Sequence, residues 1–252
     1  MKKIILFFAL FCIAAALNAD EKGSAIAKKT YELKKSNDAY SEITMTLIGK
    51  DGSKKIRKLV MMSKEGADGR NTMVEFLEPA DVKGTKFLTI AHKKTDDEQR
   101  LYLPALKKTR QISSTSKNGK FMGSDLFYFD MEDRNFEDGS YKFIKDEKYN
   151  NKDFSVIEAV SLDKNSPYSK TVMWVSKDDN FVYKVECYDK KDDALWKVIA
   201  MVEVKVIDGI IMPVKTVVDN QKEGTKTLMQ IDNIKLNSGI KDDAFSVQNL
   251  EK

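Results

Sequence analysis

Alternation of apolar and polar residues is the dominant pattern along this chain. Ile43, Met45 and Leu47 alternate with threonines, and the pair Asp51-Gly52 that follows is typical of a hairpin turn. The same pattern recurs about a dozen times before Leu236, with short polar turns between the runs. The pattern therefore predicts a mainly β fold, an antiparallel half-barrel of about 10 to 12 strands.

One departure from the strand pattern precedes the first strand. Residues 25–37 place Ile26, Tyr31 and Leu33 among lysines, a spacing that favours one amphipathic helix. Ser24 is the residue type preferred at a helix N-cap. The sequence therefore predicts an N-terminal helix that begins after Ser24.

A second departure runs from Ser113 to Asp138. Met122, Leu126 and Phe129 are spaced by four and three residues, which predicts one face of a short helix. Such an apolar segment either fills one end of the sheet as ordinary core or forms a lid over a concave apolar surface. In the second case its Phe and Met side chains could repack around a flexible ligand. Both interpretations remain open at this point.

Strand parity selects the residues that would line a groove beneath this lid. A partly open sheet could hold acyl chains on one face, since burying a methylene contributes about 0.8 kcal/mol. A one-residue bulge would reverse the face of any residue chosen in this way. The residues predicted to line the hydrophobic groove and its lid are Met45, Leu47, Val74, Phe76, Leu88, Ile90, Leu101, Leu103, Met122, Leu126, Phe127 and Phe129.

The first residues have the organisation of a secretory signal. Lys2 and Lys3 precede an apolar run that ends before Ala19, which predicts a cleavable signal peptide over residues 1–19 and a single exported domain over residues 20–252. An uncleaved anchor would need a longer run, about 18 to 20 apolar residues. Cys12 follows Phe11, where a lipoprotein signal needs a small residue, so lipidation is not expected.

Composition narrows the classes of function. The formal net charge of +4 falls to about +2 once Lys2 and Lys3 are removed, and no basic stripe with interleaved aromatics is present, which argues against a nucleic-acid partner. Beyond the signal Cys187 is the sole cysteine, so no intramolecular disulfide can form. Its alternation with Tyr183 and Val185 predicts a buried, inert thiol on their face of a strand.

The usual catalytic residues are largely missing. His92 is the single histidine, and the sequence contains no nucleophile elbow, zinc-protease or phosphate-loop motif. Asp125, Asp130 and Glu132 could bind calcium or form an acid and base pair, but EF-hand spacing is absent. We therefore expect no enzymatic activity, no metal and no cofactor.

Three sequence blocks carry a family resemblance: residues 76–88 (FLEPADVKGTKFL), 101–112 (LYLPALKKTRQI) and 121–125 (FMGSD). In this order and spacing they resemble the outer-membrane lipoprotein-sorting-like family, the LolA-like proteins of Gram-negative and spirochaete envelopes. The resemblance implies a half-barrel whose concave face is closed by short helices. It also implies a role in carrying or sensing lipid or lipidated protein in the periplasm, and cooperation with an inner-membrane transporter.

A basic group lies within the second block. Lys107, Lys108 and Arg110 follow Pro104, where a strand should end, and could hold a phosphate headgroup while the tails enter the groove. The alternative interpretation is three solvated charges on a loop.

The leading hypothesis is a monomeric periplasmic carrier that binds lipid or lipidated protein in the groove and shuttles it towards the outer membrane. The alternatives are an envelope sensor or adaptor that binds a protein or transporter partner and, less favoured, a lipid-directed hydrolase that uses Asp125 and Asp130.

Overall fold

A computed structural model describes residues 21–93, 95–149 and 151–251. The predicted signal peptide, residues 1–19, lies outside this part of the chain. Helix α1 covers residues 21–31, so the predicted N-cap at Ser24 is wrong because Ser24 already lies within the helix. Glu21 is in its first described turn, where a negative charge is favourable.

Thirteen strands and a short C-terminal helix follow α1. They are β1 (Asp38–Ile48), β2 (Lys54–Glu65), β3 (Arg70–Glu78), β4 (Lys86–Ile90), β5 (Glu98–Leu103), β6 (Lys108–Gln111), β7 (Gly139–Tyr149), β8 (Lys152–Ser161), β9 (Tyr168–Ser176), β10 (Val182–Asp189), β11 (Leu195–Ile207), β12 (Ile210–Asn220), β13 (Thr225–Leu236) and α2 (Val247–Leu250). Short 3-10 turns cover Pro104–Leu106, Ser114–Ser116, Phe121–Gly123, Tyr128–Met131, Phe136–Asp138 and Asp242–Phe245. In the part of the chain that the structure describes, none of the helices is both long and apolar enough to span a membrane.

All thirteen strands form one antiparallel, curled sheet in the order β6-β5-β4-β3-β2-β1-β13-β12-β11-β10-β9-β8-β7. The pairing of β1 with β13 joins two halves, which we call the N-half (β1–β6) and the C-half (β7–β13). The predicted antiparallel half-barrel with an N-terminal helix and short lid helices is confirmed.

Strands β6 and β7 are consecutive in the chain but form the two opposite edges of the sheet. The segment that joins them, Ser113–Asp138, must therefore cross one face from edge to edge, and we call it the lid. Phe136 of the lid packs against Tyr31 of α1, with the ring centroids 6.2 Å apart. The lid and α1 therefore cover the same face of the sheet, the inner face.

The register of β3 and β4 corrects part of the predicted groove. Val74 lies opposite Phe87, whereas Met73 lies opposite Leu88. Residues directly opposite in an antiparallel pair share a face. The expectation that Leu88 and Ile90 share the face of Val74 is therefore wrong: the turn between β3 and β4 reverses the parity, and both side chains lie on the outer face.

The outer face of the N-half has a cover of its own. Leu88 packs in a buried cluster with Met73, Phe245 and Leu250, and Ile90 lies against this cluster. Two of these residues belong to the C-terminal segment, which folds back over the sheet. The N-half is therefore covered on both faces by the chain itself.

The lid does not contain the single short helix predicted from the spacing of Met122, Leu126 and Phe129. It is divided into the 3-10 turns Phe121–Gly123 and Tyr128–Met131, because Met122 (φ 49°) and Gly123 (φ 72°) adopt the left-handed conformation, which an α-helix cannot continue through. As a result, Met122 and Leu126 lie against the N-half, whereas Phe127 and Phe129 reach the C-half.

Candidate functional site: the inner face and its lid

Side chains of the lid fill the inner face of the N-half. The ring of Phe121 lies 6.0 Å from that of Phe76 and 5.2 Å from that of Phe87, and the ring of Tyr128 lies 5.4 Å from Phe87. The predicted groove residues buried here are Met45, Val74, Phe76 and Leu101, and those partly buried against them are Leu47, Leu103, Met122 and Leu126. Eight of the predicted residues are therefore brought together, but beneath a closed lid.

Open space remains over the C-half. A cavity of about 300 Å³ lies between α1, the lid and the inner face of β7 to β11. This volume is at the lower end of the range for ligand pockets. Its apolar lining includes Tyr31, Phe129, Tyr141, Met173, Val185 and Ile199.

Charged side chains line part of the same cavity. Asp130, Glu132, Arg134 and Lys170 are among its lining residues. Arg134 lies 3.7 Å above the ring centroid of Phe129, and its Nη2 donates to Glu132 Oε2 at 3.0 Å. An apolar space with fixed charges at its lining suits a ligand that has both a hydrocarbon part and a polar part.

Asp125 anchors the middle of the lid to the sheet. Its carboxylate is buried and accepts hydrogen bonds from Thr225 Oγ1 (2.5 Å), Thr227 Oγ1 (2.8 Å) and Asn220 Nδ2 (3.1 Å). These donors lie where β12 ends and β13 begins. The carboxylate is thus satisfied by hydrogen bonds, as a buried polar group must be.

Lys197 provides a second anchor on the inner face of β11. It is fully buried, and its Nζ donates to Asp125 O at 2.7 Å and to Asp130 Oδ2 at 3.0 Å. The ammonium also lies 3.6 Å from the ring centroid of Phe127. Asp130 Oδ1 accepts from the Tyr168 hydroxyl at 2.7 Å, and burial raises the pKa of that hydroxyl well above its usual value.

The first half of the lid is held by a third buried contact. Lys117 forms an ion pair with Glu132, and its Nζ donates to the carbonyl oxygen of Asp97 at 3.0 Å. Burial raises the pKa of the Glu132 carboxyl, although Lys117 and Arg134 oppose the shift. The lid carboxylates are therefore engaged in holding the lid in place. Among the described residues no group of three His, Cys, Asp or Glu side chains is arranged to hold a metal ion.

Cys187 lines the cavity as a buried thiol, and burial raises its pKa far above the usual value. The prediction of a buried thiol is confirmed, but its neighbours differ from those expected. A bulge between Val182 and Lys184 turns Tyr183 to the outer face, where it packs with Phe154, while Val185 stays with Cys187.

The predicted headgroup residues lie at the β6 edge, away from this cavity. Lys107, Lys108 and Arg110 are all exposed, and none of them lines the 300 Å³ space. The register pairs Lys108 with Leu103 and Arg110 with Leu101, so these two cations share the inner face with the apolar cluster of the N-half. Contact with a headgroup stays a prediction.

Of the residues predicted to line the groove, Phe129 alone lines this cavity, and lining residues such as Met173 were not predicted. Val185 alternates with Lys184 and Glu186 along β10, whereas Met173 of β9 lies between the apolar Val172 and Trp174. The alternation along β10 marks a buried face and could have placed Val185 on the inner face, but β9 carries no such signal for Met173. Lys197 could have been recognised from the sequence, because it is a lysine between the apolar strand residues Trp196 and Val198.

Comparison with known proteins assigns the family. A model of a family described as "Uncharacterized protein" matches residues 68–252. A putative outer membrane lipoprotein-sorting protein domain from Vibrio parahaemolyticus is 32% identical, with a TM-score of 0.88 over 92% of this chain and 100% of that chain. The chain belongs to the outer-membrane lipoprotein-sorting-like (LolA-like) family.

Two further solved structures resemble this LolA-like protein. A DUF1329 family protein from Desulfovibrio piger is 30% identical, with a TM-score of 0.87 over 92% of this chain and 99% of that chain. A LolA superfamily protein from Nitrosomonas europaea, 19% identical, shares the fold with a TM-score of 0.72 over 90% of this chain and 98% of that chain. No curated protein matches this sequence.

Proposed function

We propose that this LolA-like protein is a periplasmic carrier that holds an acyl chain of a lipid or a lipidated protein on its inner face. The observation that carries the proposal is the apolar cavity of about 300 Å³ between α1, the lid and the C-half. Membership of a family with an outer membrane lipoprotein-sorting domain supports the choice of cargo.

Burial of the cargo's hydrocarbon chain in the cavity would supply the binding energy. Each methylene buried there contributes about 0.8 kcal/mol without any specific polar contact. A cargo larger than the cavity would have to displace Phe129, which lines it, and then the lid side chains Phe121 and Tyr128, which fill the N-half. The buried anchors at Asp125 and Lys197 would hold the middle of the lid while its aromatic side chains move.

Charged groups would orient the cargo. Arg134 and Lys170 at the cavity are cations within reach of a polar head, and Lys108 and Arg110 offer a second basic site at the open edge of the N-half. The predicted signal peptide would release the carrier into the periplasm, where it would receive cargo from an inner-membrane transporter and pass it towards the outer membrane.

The proposed role is binding without catalysis. Asp125 and Asp130, the carboxylates considered for a hydrolase, both accept hydrogen bonds from buried neighbours, and Asp130 is paired with Lys197. A carboxylate held in this way is poorly placed to exchange protons with a substrate.

Native mass spectrometry of protein purified from its own envelope tests the proposal, together with titration of delipidated protein with a fluorescent C16 fatty acid. The variant Met173→Trp fills the cavity, and Ile56→Trp, an exposed outer-face position, is the matched control. We expect a bound lipid in the wild type and at least tenfold weaker probe binding in Met173→Trp alone. An empty wild-type protein that also fails to bind the probe would refute the proposal.

A further inference from the structure

A second apolar concavity lies on the opposite side of the sheet, on the outer face of the C-half. We call it the outer hollow; its volume is about 670 Å³, and its apolar lining includes Phe154, Trp174, Tyr183, Ala200, Val202 and Val204. Phe154 and Trp174 belong to a buried cluster, whereas 55% of the surface of Val202 is exposed. An aromatic floor with an exposed aliphatic wall is the composition of a recognition site rather than of a solvated sheet face.

Local irregularities of the strands shape the outer hollow. The register shifts in β10 between Val182 and Lys184 and in β11 between Met201 and Glu203. These positions are neighbours in the sheet, since Lys184 pairs with Ala200. Bulges bend a strand and re-aim its side chains, and here the bulge in β10 brings the Tyr183 ring onto the outer face.

The charges at the outer hollow favour an acidic partner. Lys184 Nζ lies 3.3 Å from the ring centroid of Trp174, and Lys152 Nζ lies 4.3 Å from that of Tyr183. Glu147 is the one acidic lining residue, so the lining carries two cations and one anion. Both ammonium groups lie over aromatic rings, which places them where a carboxylate beside an apolar side chain would meet them.

Acidic side chains near the hollow are already paired. Lys184 Nζ donates to Glu186 Oε1 at 3.1 Å, and the Tyr183 hydroxyl donates to Asp179 Oδ2 at 2.8 Å. Glu147 Oε2 forms an ion pair with Lys145 Nζ at 2.7 Å. Lys184 therefore already has a carboxylate partner in Glu186. Lys152 Nζ donates to the Tyr183 hydroxyl at 3.2 Å and forms no ion pair with a carboxylate of the described residues, so it is the ammonium most open to an acidic partner.

The C-terminal segment of this chain already covers a similar apolar surface on the outer face of the N-half. On the outer face of the N-half, Phe245 and Leu250 of the C-terminal segment pack on the strand residues Met73 and Leu88. In the same segment, Asp242 pairs with Lys64 of β2 at 2.6 Å. A short segment that contains both acidic and apolar residues thus covers a lysine-flanked apolar face. The outer hollow has the same two features, and no part of the described chain covers it.

We propose that the outer hollow binds a short acidic amphipathic segment of another protein. Apolar side chains of this segment would pack on Phe154 and Trp174, and its carboxylates would meet Lys152 and Lys184. The site lies on the opposite side of the sheet from the lid, so a partner docked there leaves the inner face free. The proposal goes beyond the carrier function and does not depend on which cargo the inner face holds.

Selection of a displayed library of random 12-residue peptides on the purified protein tests the proposal. Each enriched peptide is then titrated against the wild type, the double variant Lys152→Glu/Lys184→Glu and the control Lys191→Glu/Lys235→Glu, which makes the same charge change at exposed positions elsewhere. Unfolding curves confirm that each variant is folded. The cavity variant Met173→Trp separates this site from the inner face.

We expect enriched peptides that combine at least two acidic residues with aromatic or aliphatic ones. Their affinity should fall at least tenfold in Lys152→Glu/Lys184→Glu, while the control and Met173→Trp bind as the wild type does. Absence of acidic peptides, or equal binding by the double variant, would overturn the proposal. A dimer in light scattering that Val202→Arg dissociates would also overturn it, since a second copy would then occupy the hollow.

Discussion

Removal of the buried ammonium of Lys197 should loosen the lid and destabilise the whole fold. The variant Lys197→Met keeps the aliphatic part of the side chain and removes the hydrogen bonds to Asp125 O (2.7 Å) and Asp130 Oδ2 (3.0 Å). Breaking a buried ion pair from one side costs about 3 to 5 kcal/mol, because the remaining charge is left uncompensated. Asp130 keeps the Tyr168 hydroxyl at 2.7 Å and the Phe127 amide at 2.8 Å, so we expect the lower figure, about 3 kcal/mol.

Urea unfolding followed by tryptophan fluorescence and far-UV circular dichroism measures this loss. The midpoint should fall with an unchanged m-value, which separates a change in stability from a change in the surface exposed on unfolding. Amide hydrogen exchange should speed up at Phe127, whose N–H donates to Asp130. The matched control is Lys205→Met, which removes an exposed ion pair to Glu203 at 3.4 Å and should cost less than about 1 kcal/mol.

A second variant isolates the uncompensated charge. In Lys197→Met/Asp130→Asn no buried carboxylate is left alone, so the double variant should be more stable than Lys197→Met by at least about 1 kcal/mol. The reasoning is refuted if Lys197→Met unfolds at the midpoint of Lys205→Met, or if the two changes in the double variant are simply additive.

Three further predictions concern stability and reactivity. Burial opposes ionisation of Asp38, but hydrogen bonds from Ser238 and its neighbours outweigh it and lower the pKa of Asp38. The stability that this carboxylate contributes is therefore present above its unfolded pKa of 3.8 and lost as the pH falls through the lower folded pKa. Asp38→Asn should cost about 1 to 3 kcal/mol at pH 7. The urea midpoints of the wild type and Asp38→Asn should converge below pH 3.8. A Cβ at Gly23 would lie 2.5 Å from the backbone nitrogen of Phe143, so Gly23→Ala should displace α1 and cost about 1 to 3 kcal/mol in urea unfolding. A midpoint equal to that of the wild type would contradict this close contact. Cys187, whose pKa is raised by burial, should react with a soluble aromatic disulfide only after urea unfolds the protein; prompt reaction of the folded protein would contradict the buried assignment.

How well the sequence predicted which residues share the inner face depended on how far apart those residues are in the chain. Within β3, alternation placed Val74 and Phe76 together, and the structure buries both in the cluster beneath the lid. Across the turn to β4 the same counting failed for Leu88, because alternation within either strand does not fix the register between them, and with this register the turn reverses the parity. The tighter the turn and the clearer its type, the further such counting can be carried.

The lid shows the same limit on a larger scale. Loss of alternation between Ser113 and Asp138 revealed that this segment leaves the sheet, and its apolar residues indicated that it is buried. Its path follows from the position of β6 and β7 at opposite edges, which no local pattern contains. The spacing of Met122 and Leu126 suggested a helix, but the left-handed residues Met122 and Gly123 broke it.

Local alternation and turn residues were enough to predict a mainly β, antiparallel fold and an apolar segment that leaves the sheet between Ser113 and Asp138, because a strand must present one face to the core and one to solvent. The three sequence blocks indicated the family. The open cavity over the C-half, the closed N-half and the buried anchors at Asp125 and Lys197 were decided by the tertiary structure alone. They join residues as much as 102 positions apart, such as Asp125 and Thr227, through strand order and register, and these depend on the packing of the whole sheet rather than on any neighbouring residues.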